Sequence, residues 1–157
     1  MGLISFMKGV GEKLFGNKEE EAKVAAAKPE EVEPLRASAL LQKVKSLGLA
    51  YQTLTVKTAG STVVLEGQVE NQEDAEKIAL AVGNVEGVDQ VDNRLQVAAP
   101  KPEAQYHTVE KGDTLSKIAQ TYYGDMMKYP VIFEANKPML TNPDLIYPGQ
   151  VLRIPAL

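Results

Sequence analysis

The 157-residue chain has no cysteine, no tryptophan and a single histidine. Without cysteine there is no disulfide, no thiolate nucleophile and no cysteine-built metal site, a pattern that fits a reducing compartment. Aromatic residues make up only 6% of the chain, so any module it forms has a modest core and modest stability. The formal net charge of −4 disfavours nucleic acid or an anionic membrane surface as partner. No apolar run reaches transmembrane length. The N-terminus, MGLISFMKGVGEKLFG, has a short apolar run interrupted by Lys8, unlike a secretory signal. Met1-Gly2 suggests myristoylation, but Phe6 stands where that motif wants Ser or Thr. These features predict a cytoplasmic protein.

Catalytic signatures are also lacking. His107 has no placed partner in the sequence and is expected to be structural or exposed. Ser38, Ser46, Ser61 and Ser116 have no nucleophile context. The acids sit in linkers, caps and turns, without zinc or calcium spacing, and there is no glycine-rich phosphate loop. The expectation is a protein that is not an enzyme.

What is present divides the chain into segments. Residues 1–15 are an amphipathic segment in which Leu3, Met7, Val10 and Leu14 share one helical face. The expectation is a helix docked on the rest of the protein, broken near Gly9 and Gly11, where each glycine costs about 1 kcal/mol in a helix interior. Residues 16–34 are charged, Ala-rich and Pro-punctuated, as in a linker. Residues 35–98 then read α-β-β-α-β. Pro34 sits at a first helical turn, and Ala37, Leu40, Leu41, Val44 and Leu47 form an apolar stripe closed by Gly48. A hairpin follows, with Leu54 and Val56 on one face of its first strand and Val63, Leu65 and Val69 inward on its second. Asn71 caps a second helix with Glu73 and Asp74 in its first turn and Ala75, Ile78, Ala79 and Val82 buried. A loop at Asn84–Gly87 leads to a last strand, Val88 to Val97.

Residues 99–105 form a short Pro-containing linker, and residues 106–157 a second module of order β-α-α-β. In it Gly112 turns the chain and Asp113 or Thr114 caps a helix whose apolar face is Leu115, Ile118, Ala119 and Tyr122. Gly124 closes that helix. A second short helix spans Lys128 to Ala135, with Val131, Ile132 and Ala135 inward. Pro148-Gly149 turns the chain into a last strand, Val151 to Ile154. The fold class is α+β, in two small domains.

Two family resemblances follow. Tyr106-x-x-Val-x-x-Gly-Asp-Thr-Leu-x-x-Ile-Ala together with Ile146-Tyr-Pro-Gly-Gln-x-Leu-x-Ile-Pro155 resembles a LysM domain. That implies binding of N-acetylglucosamine glycans such as peptidoglycan, along the loop at Gly112, Asp113 and Thr114 and the loop before Tyr147. Val64-Leu-Glu-Gly-Gln-Val69 with Ala81-Val-Gly-Asn-Val-Glu-Gly-Val88 resembles a BON domain, a module that contacts lipid or other proteins in envelope proteins.

The combination of a short N-terminal segment, a BON-like and a LysM-like module resembles the bacterial potassium-binding protein family, over essentially the whole chain. The resemblance implies a cytosolic K+ sensor that compacts when the ion binds, with Rb+ or Cs+ as possible substitutes. It implies ligation by main-chain oxygens of Met7, Lys8 and Val10 from the N-terminal segment and of Gly83, Val85 and Val88 after the second BON-like helix. The physical logic is that carbonyls are released where helices end or break, and carbonyl oxygens can replace the hydration shell of K+. The implied protein is a monomer, with potassium as partner, no nucleic acid, and a glycan or protein partner through the LysM-like module. Alternatives are a glycan-binding envelope protein, for which the N-terminus is unsuited, and a protein-binding stress-response adaptor.

Overall fold

A computed structural model describes residues 3–7, 11 and 29–157, with the backbone alone for 29–34. The chain opens with strand β1 (Leu3–Ser5), then helix α1 (Pro29–Ser46), β2 (Thr53–Ala59), β3 (Thr62–Asn71), α2 (Gln72–Gly83) and β4 (Gln90–Ala99). These form one sheet in the order β1-β4-β3-β2. β2 and β3 are an antiparallel hairpin, whereas β3 and β4 run parallel and are joined through α2, a β-α-β crossover. The helices lie on one face, where Leu40 and Val44 of α1 and Ala75, Ile78, Ala79 and Val82 of α2 meet Val63, Leu65, Val69, Val91 and Leu95 of the strands. The alternation Val63-x-Leu65-x-x-x-Val69 places these side chains on the helix side, as a period of two requires.

The N-terminal segment departs from its helical expectation. Residues 3–5 form a strand antiparallel to β4, pairing Ile4 with Val91. Ile4 and Phe6 are buried while Leu3 and Met7, members of the expected helical face, are exposed. The reason is local: Ile and Phe two apart suit a strand, and the open β4 edge supplies the backbone partners that a glycine-punctured helix would have to find internally. The segment docks, but as a strand; Val10 and Leu14 lie outside the described residues. Helix α1 begins at Pro29, inside the stretch expected as linker, because proline's fixed φ suits a first helical turn. Pro34 therefore sits in the second turn rather than the first. Asn71 occupies the N-cap position of α2, but its side chain does not accept from the helix; its amide reaches Asp74 at 3.3 Å instead.

The second module comprises β5 (Gln105–Thr108), α3 (Leu115–Tyr123), a 3-10 turn (Met126–Lys128), α4 (Tyr129–Ala135) and β6 (Val151–Ile154). β5 and β6 pair antiparallel, and α3 and α4 pack on them around Leu115, Ile118, Ala119, Ile132, Leu152 and Ile154. Thr114 caps α3, its Oγ1 accepting from the Lys117 N–H at 3.2 Å. Gly124 ends it in the left-handed conformation, φ 71°. Among the described residues no helix is long and apolar enough to cross a membrane.

Candidate functional site

Helix α2 has acids at its start and no basic residue in its last turn, so nothing on the helix offsets the partial negative charge of its carbonyl end. The Asn84 N–H returns to the Leu80 carbonyl at 2.9 Å, and the Val88 N–H to the Val85 carbonyl at 3.1 Å. Among the described residues no backbone N–H donates to the carbonyls of Ala81, Val82, Gly83 or Val88. The side chains of Val85 and Val88 are 1% exposed and belong to the core, so at these two positions the main chain is the available part, while the Glu86 side chain between them is exposed.

The N-terminal segment is brought to the same place. The Phe6 N–H donates to the Asp89 carbonyl at 2.7 Å. The Phe6 ring fills the space beside Gly83 so closely that a Cβ there would overlap it. Beyond the intervening residues, the Gly11 backbone lies on Asn84: a Cβ on Gly11 would stand 2.6 Å from the Asn84 carbonyl oxygen, and its φ of 125° favours glycine for a second reason. Of the residues expected at the site, Gly83, Val85 and Val88 thus share one loop, and Met7 follows Phe6 with its side chain exposed. Lys8 and Val10 lie outside the described residues. Carbonyls at a helix end that accept no backbone N–H among the described residues, approached by a second glycine-bearing segment, suit a cation that exchanges water for carbonyl oxygens. Among the described residues no three His, Cys, Asp or Glu side chains gather as a metal site.

Asn84, not among the residues expected at the site, joins this loop to the second module. Its Nδ2 donates to the Val151 carbonyl and its Oδ1 accepts from the Val151 N–H, each at 2.8 Å. In β6 the backbone groups of Val151 and Arg153 point away from β5. Asn136 treats Arg153 in the same way, with bonds of 2.9 and 2.8 Å. Both asparagine amides stand in for the peptide groups of a missing neighbouring strand, so the open edge of β6 is closed by side chains. One of these comes from β6's own module and one from α2's end.

Two turns up α2, Glu76 is fully buried and holds Arg153 by Nε at 3.0 Å and Nη2 at 2.9 Å. Its other oxygen accepts from the Ala104 N–H at 3.1 Å. Tyr106 lies near this pair, its phenol pushed upward chiefly by burial and then by the Glu76 charge.

A match to the BON domain family covers residues 35–99, and a match to the LysM domain family covers residues 107–155. The chain is 40% identical over 156 residues, 99% of both chains, to the potassium binding protein Kbp of Escherichia coli O6:H1. The chain belongs to the Kbp family. A Deinococcus radiodurans protein described as uncharacterized is 40% identical to this Kbp-family chain over 132 residues, 76% of it and 51% of the relative, so the chain spans about half of that longer protein.

In the LysM module of this Kbp-family chain the loop residues expected to line a glycan groove carry structural duties. Asp113 accepts from the Glu110 N–H and from His107 Nε2, both at 2.9 Å, and Thr114 is the cap of α3. These bonds, the Glu110 one first, hold the Asp113 carboxyl below its ordinary value. His107 bridges Asp113 and the Tyr122 hydroxyl, 3.1 Å from its Nδ1, which ties β5 to the turn and to α3. His107, expected to be structural or exposed and without a partner legible in the sequence, thus has a partner on each ring nitrogen.

Proposed function

We propose that this chain is a non-enzymatic, cytoplasmic K+-binding protein. Carbonyl oxygens of Met7, Lys8 and Val10 and of Gly83, Val85 and Val88 hold the ion, and the compact, docked arrangement is the state that the ion favours. The observation that carries the reading is the convergence of the N-terminal segment on the carbonyl end of α2, with Phe6 on Asp89 and Gly11 on Asn84 at either side of residues 7–10. The name of the E. coli relative supports the choice of ion. The Val85 carbonyl already accepts one bond but keeps a second lone pair. A site of carbonyls is neutral and sized by the backbone, so it suits K+, Rb+ and Cs+ over Na+. Ion binding shifts population toward the docked state because only that state assembles both segments.

The test is a K+ titration at constant ionic strength with Na+ as the balancing salt, read by calorimetry and amide shifts. Saturable heat with shifts concentrated at residues 7–11 and 83–89 is the expected result. No response beyond Na+ removes the ion reading, and binding to purified peptidoglycan through the LysM module becomes the next assay.

A further inference from the structure

We infer that Asn84 is the positioning residue that couples the ion loop to the LysM module, and that β6 is thereby an outer support of the ion site. This inference rests on the carbonyl-site reading above. Asn84 lies between Gly83 and Val85, which contribute two of the proposed ligand carbonyls. Its own backbone carbonyl is the atom against which Gly11 packs. Its backbone is therefore part of the seam between the N-terminal segment and the loop, while its side chain is committed elsewhere.

That commitment is a two-point clamp on the Val151 peptide edge, dry on both sides: Asn84 is 5% exposed and Val151 2%. Met139 closes over it, with its sulfur 3.3 Å from Nδ2. A two-point amide bond fixes rotation about the side chain as well as distance, so the peptide planes on either side of Asn84 are set by where β6 stands. Carbonyl ligands are sensitive to this, because rotating a peptide plane swings its oxygen away from an ion without moving any side chain. The converse also holds. Without the docked loop, the Val151 N–H and C=O have no partner in their own module, whereas Arg153 keeps Asn136. Ion binding and closure of the β6 edge are then linked, and linkage between two binding events is reciprocal.

The experiment uses the full chain, with K+ titrations of the wild type, Asn84→Ala, Glu76→Gln and the double variant. Asn84→Ala is expected to weaken K+ by about tenfold, within the usual range of coupling between sites. Glu76→Gln, which loosens β6 from α2 without touching the loop, is expected to weaken it as well. The double variant is expected to be no weaker than the weaker single one, because both act through the same support. In the wild type, saturating K+ is expected to slow exchange of the Val151 amide, whose acceptor is Asn84, and to leave the Arg153 amide unchanged.

Wild-type affinity in Asn84→Ala overturns the inference, as do additive losses in the double variant, which would place the effect inside the loop. Should Asn84→Ala fail to fold, the wild-type Val151 amide decides alone: no change with K+ overturns the coupling. A wild type that binds no K+ sinks the ion reading itself, a result separate from all of these.

Discussion

At the scale of single residues, glycines mark where segments press together. Replacing Gly83 by alanine sets two effects against each other. Alanine in place of helical glycine gains roughly 1 kcal/mol. The new methyl group, however, falls within the Phe6 ring, and overpacking of this kind costs about 1–3 kcal/mol. The clash wins, so Gly83→Ala is expected to lower the denaturant midpoint and to loosen β1 from the sheet. A variant more stable than wild type would mean that the ring is not seated there. This seam was half legible in the sequence. Glycines at 9, 11 and 83 stand out as breaks, but a glycine reads as a turn until the element pressed against it is known. Asn84 was less legible still, because its partner lies 67 residues away on the main chain of another module and leaves no side-chain pattern.

Elements were most readable where burial enforces a period. The faces of α2, β3 and α3 followed from their apolar spacing because each has one buried side. β1 did not: five residues carry both a helical face, Leu3 and Met7, and a strand face, Ile4 and Phe6, and only the open edge of β4 decides between them. The Asp113–His107–Tyr122 link fastens the elements of the LysM module, and it makes a prediction about acid. Asp113 has its folded-state pKa depressed, so its contribution to stability is present above its ordinary value and is lost as the pH falls through the lower, folded one. Asp113→Asn is expected to be less stable than wild type at neutral pH. The difference should shrink below about pH 4, the ordinary aspartate range. Urea midpoints measured from pH 7 down to acid test this; a gap constant with pH would remove the carboxylate from the account.

At the scale of the whole molecule, the two modules are held by one buried ion pair as well as by the Asn84 clamp. Glu76→Gln leaves the Arg153 guanidinium buried with, among the described residues, Glu73, 3.9 Å away, to answer its charge. Breaking a buried pair from one side costs about 3–5 kcal/mol, and the nearby Glu73 argues for the lower end. Unfolding of the variant is expected to separate into two transitions, with a larger radius of gyration by X-ray scattering than the wild type. A single transition and unchanged radius would mean that the apolar packing of Val151, Tyr106 and Met139 on the first module's core suffices for docking.

The same whole-molecule linkage sets how K+ acts on stability. An ion bound by the folded chain alone stabilises it by about 2.7 kcal/mol at a hundred times its dissociation constant. For a chain of this length each kcal/mol moves the melting midpoint by about 2–4 °C. K+ is therefore expected to raise the wild-type midpoint by about 5–10 °C over the same concentration of Na+. Because the proposed ligands come from both the N-terminal segment and the α2 loop, removing residues 1–11 should abolish that rise, on top of the lower starting midpoint expected from losing Ile4 and Phe6 from the first module's core. A truncated chain that keeps the K+-specific rise would locate the ion wholly within the α2 loop.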